Sequence, residues 1–347
     1  MYLKKILLII ILLSIAVLGW FSYTVYTSIF SPNTGFKEER KELYIPTNAS
    51  YEAVRDTLEP LLLDMDSFDA IAKRKGYMSN VKAGRYFLKN GMNNNDLVNT
   101  LRSGNQPVSV TFNNQERIEN LAGRVATQIE ADSITLLNAM RDPDFLQNHG
   151  FDQETALSMY LPNKYEFYWN TSAEKFRDRM YEEYQRFWTE ERKTKAKALA
   201  LTPQQVITLA SIVQKESVKI DERPRVAGVY LNRYERGIKL DADPTVIYSI
   251  KRAYKNYDTI IKRVLYRDLE LDSPYNTYRV KGLPPGPITM PDISAIDAVL
   301  NPEDHNYLFF VADVSRPGYH LFAETNRQHN NNRKQYRRWI DKLGIRR

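Results

Sequence analysis

The sequence predicts an α+β protein with an N-terminal transmembrane helix, a small βααβ unit, and a larger mixed domain rich in helices that carries a β-hairpin. Three observations lead there. An uncharged, mostly apolar run from Ile6 to about Tyr26 follows Lys4 and Lys5, and ~20 such residues cross a bilayer as one helix. Helix start and stop signals then recur at short intervals. Rigid Pro/Gly turns, including Arg316-Pro317-Gly318, punctuate the last third of the chain.

The two lysines keep residues 1–5 in the cytoplasm by the positive-inside rule, and Trp20, Tyr23 and Tyr26 suit the outer interface. The expectation is a single-pass anchor over 6–26 in the cytoplasmic (inner) membrane, with the body extracytoplasmic. A cleaved signal peptide is the main rival, but no small-x-small site follows the run. The 347 residues contain no cysteine, which excludes a lipoprotein's acylated cysteine, disulfides and thiolate chemistry. His149, His305, His320 and His329 are scattered, with no HExxH or comparable spacing, so neither a metal nor a cofactor is expected. The net charge of +7 is dispersed except for Arg333, Lys334, Arg337, Arg338, Lys342, Arg346 and Arg347, which read as the solvated face of a terminal helix. Nucleic acid is out of reach beyond the membrane; anionic envelope polymers or lipid are the partners such charge would attract.

In chain order, a polar linker over 27–41 precedes a unit over 42–105. That unit reads as a strand at Glu42–Pro46, a helix at Ser50–Leu63 capped by Ser50, and a helix at Ser67–Lys75 ending at Gly76. A returning strand at Arg85–Lys89 and a helix at Asn93–Arg102 stopped by Gly104 complete it. The region 106–201 opens with a strand at Val108–Phe112 and helices at Arg117–Glu130 and Ser133–Met140. One long charged helix follows over Ala173–Leu201, a brace toward the last domain with its aromatics in the core. The domain over 202–347 begins with a helix whose start is well marked. Thr202 is an N-cap, Pro203 takes the first helical position and Gln205 completes a capping box.

The segment read as this helix, 201–217, carries Glu216 near its far end. At ~100° per residue Glu216 falls within ~20° of Leu209 and ~60° of Val213, on the apolar stripe, while Lys215 points away. A carboxyl group in apolar surroundings keeps its proton toward neutrality, as a general acid must. The alternative is a helix end where the stripe runs out and Glu216 is wet. Downstream, Arg223-Pro224 opens a helix through Val226, Val229 and Tyr230, terminated by Gly237. Asp243 caps a third helix with Pro244 at its first position. Ser273–Tyr278 is a loop dense in hydrogen-bonding groups and rings, and Gly282–Pro287 is a rigid turn. Asn306–Asp313 and Tyr319–Glu324 form the hairpin before the last helix. Aromatic faces beside amide and hydroxyl groups suit a carbohydrate cleft, although each element also has a purely structural use.

Taken together these segments resemble the endolytic murein transglycosylase (MltG or YceG-like) family. The carriers are Leu209-Ala-Ser-Ile-Val-Gln-Lys-Glu216-Ser217, Asp243-Pro-Thr-Val-Ile-Tyr248, Tyr275-Asn276-Thr277-Tyr278 and Gly282-Leu-Pro-Pro-Gly-Pro-Ile288. Leu308–Ala312, His320, Phe322, His329 and Asn330 continue the match. Two departures stand out. Gln214 replaces the first glutamate of the family's Glu-Lys-Glu, leaving Glu216 alone in the motif. Met159–Tyr165 also lacks the acidic and glycine positions of the corresponding family stretch.

The resemblance implies a lyase, a peptidoglycan lytic transglycosylase (EC 4.2.2 class), cutting between N-acetylmuramic acid and N-acetylglucosamine. In such enzymes the muramic acid's own C6 hydroxyl attacks C1, so one carboxyl group suffices where ordinary glycosidases use two. Glu216 would be the catalytic acid–base. Ser217, Asp243, Thr245, Tyr248, Tyr275, Asn276 and Tyr278 would hold the glycan. The βααβ order resembles the LysM glycan-binding module, with a plain packing unit as the alternative. The resemblance also implies nascent strands as substrate, termination of their elongation, and peptidoglycan synthases (polymerases or penicillin-binding proteins) as partners. A hydrolytic muramidase using Asp241 or Asp243 as second carboxylate and a non-catalytic glycan-binding scaffold are the rival functions.

Overall fold

The computed structural model describes residues 2–261 and 263–342. The chain forms two compact units. One comprises Met1–Val110, Gln128–Ala131 and Tyr165–Ser172, and the other Thr111–Thr127, Asp132–Lys164 and Ala173–Arg347.

The first unit opens with α1 (Tyr2–Phe30), 29 residues with none buried and long and apolar enough to cross a membrane. It runs past the expected stretch at both ends, about 44 Å at ~1.5 Å per residue. Its C-terminal turn is tied down. The Asn94 amide donates to the Ser28 carbonyl at 2.8 Å and to Ser67 Oγ at 2.9 Å, and its oxygen accepts from Asn33 Nδ2 at 2.7 Å. Part of the expected linker is therefore helix, and part is fastened to the small unit.

β1 (Arg40–Ile45), α2 (Tyr51–Leu58), α3 (Met65–Arg74) and β2 (Gly84–Lys89) give the expected β-α-α-β order. The strands pair antiparallel from Arg40↔Lys89 to Ile45↔Gly84. Ser50 caps α2 by accepting from the Ala53 N–H at 3.2 Å. This helix stops at Leu58, short of the expected Leu63. Pro60 removes an amide donor and clashes with the preceding turn, and the chain tightens into a 3-10 turn at Glu59–Leu61. α3 starts two residues before the expected Ser67, capped by Asp64, which accepts from the Ser67 N–H at 3.1 Å. α4 (Asn94–Ser103) is capped by Asn93 and ends at Gly104. Leu43, Ile45, Val54, Leu58, Phe68, Ile71, Tyr86, Leu88, Leu97 and Leu101 form the core of this unit. β3 (Pro107–Phe112) and β4 (Asn163–Tyr168) pair as a second two-stranded sheet.

The second unit contains α5 (Ile118–Ala126), α6 (Ser133–Met140), α7 (Pro143–Asn148), α8 (Ala173–Phe187) and α9 (Glu190–Ala198). After them come α10 (Pro203–Glu216), α11 (Arg223–Glu235), α12 (Asp243–Ala253), α13 (Ile293–Leu300), β5 (Phe309–Ala312), β6 (His320–Ala323) and α14 (Asn326–Lys342). The single helix expected over Ala173–Leu201 is two helices. Trp188 is buried between them, and Thr189 N-caps α9 by accepting from the Arg192 N–H. Glu190 and Glu191 follow in the first turn, where they favour the positive helix end. Phe176, Tyr184 and Trp188 are buried, so these aromatics are core.

α10 is the centre of this unit, packed by α9, α11, α12 and α13. Every residue from Val206 to Val213 is buried, so the expected stripe is in fact a helix enclosed on all sides. Its two polar members bond locally, Thr208 Oγ1 to the Gln204 carbonyl at 2.9 Å and Ser211 Oγ to the Thr208 carbonyl at 2.6 Å. β5 and β6 form the expected hairpin, in register from Phe309↔Ala323 to Ala312↔His320, and α14 lies against both strands. Within the basic stretch, Arg346 and Arg347 lie outside the described residues.

Candidate active site

The capping box on α10 forms as expected. The Thr202 side chain accepts from the Gln205 N–H at 3.2 Å, and the Gln205 side chain accepts from the Thr202 N–H at 2.9 Å. The far end carries Glu216, half-buried, on the wall of a cavity of about 1060 Å³. Glu216 Oε1 accepts a hydrogen bond of 2.7 Å from the Tyr230 hydroxyl on α11. Burial pushes the Glu216 carboxyl up to about 7, helped by the charge of Asp243 and opposed by the Tyr230 hydrogen bond. Desolvation is the larger effect because it penalises only the charged form. Burial and the neighbouring carboxylate push the Tyr230 phenol well above its ordinary value, so it donates throughout the working range. Its ring is held edge-on by Phe310, centroids 5.8 Å apart.

Two aspartates share the cavity. Asp243 Oδ1 accepts 2.6 Å from the Tyr278 hydroxyl. The expected cap on α12 is absent: Ala242 takes the N-cap position with no side-chain bond, and Asp243 is the first helical residue. It is exposed to the cavity instead. Asp241, held at a left-handed φ of 49°, pairs with Arg233. Burial nevertheless raises its carboxyl, outweighing the guanidinium. Arg233 also donates to the Lys239 carbonyl at 2.8 Å and the Leu308 carbonyl at 2.9 Å, which ties α11 to the hairpin.

Of the eight residues singled out from the sequence, Glu216, Asp243 and Tyr278 line the cavity. Five others have their polar groups engaged within the protein. Ser217 is buried and donates to Glu222 at 3.1 Å. Thr245 is buried against Thr277, Oγ1 to Oγ1 2.8 Å, and Thr277 Oγ1 also accepts from the Ala242 N–H at 3.0 Å. Asn276 is fully buried, donating to the carbonyls of Leu269 and Leu271 at 3.0 and 2.8 Å and accepting from the Tyr278 N–H at 3.0 Å. Tyr275 is buried and donates to Glu154 Oε2 at 2.8 Å. Tyr248 packs on the Tyr275 ring with centroids 4.7 Å apart. In this structure these five make their contacts within the protein, while Glu216, Asp243 and Tyr278 are the ones that reach the cavity.

The rigid turn is anchored to α10. Ser211 Oγ accepts from the Ile288 N–H at 3.1 Å, and Gln214 Oε1 accepts from the Asp292 N–H at 2.5 Å. A neutral amide at 214 thus fills a structural position without adding charge near Glu216. Gly286 sits against the Glu154 backbone so closely that a Cβ there would lie 2.0 Å from the Glu154 carbonyl oxygen. Glu154 in turn takes two 2.6 Å bonds from Arg252, which hold its carboxyl below the usual range.

Sequence reasoning missed Tyr230 and Arg233 as site residues, along with the cavity residues Arg263, His329 and Arg333. A signal existed for the first two. They stand three apart, with Val226 and Val229, on one face of a helix, so polar groups interrupt a buried stripe. His329 stood among the residues that carry the family resemblance, whereas Arg263 and Arg333 reach the cavity through a long irregular segment and the terminal helix, for which no local pattern exists. Among the described residues no group of three or more His, Cys, Asp or Glu is placed to hold a metal ion.

The same architecture is found elsewhere. A protein of Bacillus subtilis named endolytic murein transglycosylase is 29% identical over 328 residues, 89% of this chain and 88% of that protein. A protein of the same name from Streptococcus pneumoniae is 28% identical over 344 residues, 90% of this chain but 61% of that longer protein. The crystal structure of a putative YceG-like protein from Listeria monocytogenes superposes with a TM-score of 0.56 at 26% identity, over 85% of this chain and 99% of that one. A model of the YceG-like family matches residues 43–335, so the chain belongs to the YceG-like family.

Proposed function

We propose that this protein is a membrane-anchored endolytic lytic transglycosylase that cuts peptidoglycan strands between N-acetylmuramic acid and N-acetylglucosamine, leaving 1,6-anhydro ends. The observation that carries the reading is Glu216, a carboxyl group raised to about 7 on the wall of a large cavity and oriented by Tyr230. Its proton passes to the glycosidic oxygen as the C1–O bond breaks. The carboxylate then accepts the proton of the muramic acid C6 hydroxyl as that oxygen bonds to C1. The acid is regenerated and no water is consumed, so one carboxyl group completes the cycle. Asp243 and Tyr278 face the bound strand, with Asp243 placed to favour the oxocarbenium-like state. Ser217, Thr245, Tyr248, Tyr275 and Asn276 support the walls. In this reading α1 spans the cytoplasmic membrane with its N-terminus inside. The βααβ unit acts as a LysM-like glycan holder, and the cut, made beside peptidoglycan synthases, ends strand elongation.

The test is product analysis. The detergent-solubilised full chain incubated with nascent strands is expected to release anhydro-ended fragments, read by mass spectrometry. Reducing ends would establish the hydrolytic muramidase instead, and intact strands bound but uncut by folded protein would establish the scaffold.

The pH profile follows from the same geometry. The starting state needs protonated Glu216, so kcat/KM falls as pH rises through about 7. Tyr230→Phe removes the hydrogen bond that lowers this value. The alkaline limb should move to higher pH, while the maximal rate drops about tenfold, the order expected for losing a ~1.5 kcal/mol bond to a charged group. An unmoved limb would assign it to another group.

A further inference from the structure

The cavity that holds Glu216 also has a cationic part that the cleavage step does not use. Of its three arginines, Arg233 is consumed by Asp241 and two backbone carbonyls. Arg263, on the segment after α12, and Arg333, on α14, face the same cavity. Neither has a hydrogen-bonded or ion-paired partner among the described residues. His329 lies one turn before Arg333 and also lines the cavity, and its buried Nδ1 has no partner. Burial, with the charges of Arg333 and Arg233 adding to it, holds the His329 imidazole below its ordinary value. The carboxylates, Glu216, Asp241 and Asp243, come from α10 and the start of α12, so the lining is divided by sign.

The sugar rings of a murein strand are neutral. Its negative charge is carried only by the muramyl substituent, as a free lactyl carboxylate or as carboxylates of an attached peptide. A guanidinium recognises a carboxylate through two parallel N–H donors. We propose that Arg263 and Arg333 form a carboxylate subsite that takes the muramyl substituent and so sets which strands are cut. The inference rests on the proposed glycan substrate and assigns the specificity of that same cavity. The subsite fixes the register of the strand, since only a muramyl unit, never N-acetylglucosamine, offers the anion.

The experiment uses the full chain and three strand preparations: strands with peptides, strands stripped by an amidase to free lactyl groups, and stripped strands whose carboxylates are converted to amides. For the wild type, Arg263→Gln and Arg333→Gln, kcat/KM is measured on each. The ratio for carboxylate-bearing over amidated strands is expected to fall about tenfold in Arg333→Gln, through KM, and less in the more exposed Arg263→Gln. Whichever of the first two preparations shows the fall identifies the carboxylate, peptide or lactyl. An unchanged ratio overturns the subsite, as does an equal loss on amidated strands. Binding of fluorescent strands to Glu216→Gln, alone and combined with Arg333→Gln, needs no turnover. Loss of the preference for carboxylate-bearing strands there supports the subsite even if the wild type cuts nothing, and a preference unaffected by Arg333→Gln overturns it. A melting transition within a few degrees of wild type shows that the variants are folded.

Discussion

Glu216→Gln is expected to lower strand cleavage by about a thousandfold, within the range that a positioned general acid–base contributes. The substitution keeps the shape and the hydrogen bond from Tyr230 but carries no transferable proton. Its effect on stability should run the opposite way. In the folded chain the carboxyl is raised from its ordinary 4.5 to about 7, so between those values the native state binds more protons than the unfolded state. Stability from this group is therefore complete below about 4.5 and is lost as pH rises through about 7. Glutamine does not titrate. The variant should melt near wild type at pH 4 and above it at pH 8, read by calorimetry. An inactive variant that melts below wild type at pH 8 would contradict the desolvated acid, because a damaged fold and a removed proton donor then give the same loss of activity.

Gly286→Ala should be the most damaging small substitution in the larger unit. The added Cβ would meet the Glu154 carbonyl oxygen at 2.0 Å and its carbon at 2.7 Å. These are backbone atoms, and the Glu154 side chain is held by Arg252 and Tyr275, so the chain cannot simply give way. Overpacking of this kind costs about 3 kcal/mol, which for a unit of this size is ~6–12 °C in melting temperature. The displaced turn would also pull Ile288 from Ser211, so cleavage should fall together with stability. Gly123→Ala is the control. It lies within α5 with nothing within 4 Å of a Cβ, and alanine there should be neutral or slightly stabilising. A loss as large for Gly123→Ala as for Gly286→Ala would refute the steric account.

How much was legible beforehand follows the range of the forces involved. The start of α10 was readable to the residue because it is encoded by three neighbours, Thr202, Pro203 and Gln205. The helix break at Trp188 was equally local, signalled by Thr189-Glu190-Glu191, yet continuous charge through the region masked it. α13 is only eight residues long and gave too little periodicity to be seen. For the site, a titratable group on an apolar stripe pointed to Glu216. Its donor Tyr230 is fourteen positions away on another helix, a distance no spacing rule spans. Asn276 and Thr277 illustrate the converse. Hydrogen-bonding side chains in a loop suggested ligand contacts; in the fold these two also satisfy backbone groups outside that loop, the Leu269 and Leu271 carbonyls and the Ala242 N–H, as buried backbone groups must be satisfied.

The fastening of Ser28 by Asn94 has a mechanical consequence. With α1 in a bilayer, as proposed, the small unit is carried on a mast and not on a leash. A flexible tether would let it sweep a hemisphere whose radius grows with the number of free residues. A docked helix end instead fixes one altitude and one face. Whatever that unit grips is then met at a set height above the lipid, so the reach of the molecule is written into its geometry and not left to diffusion.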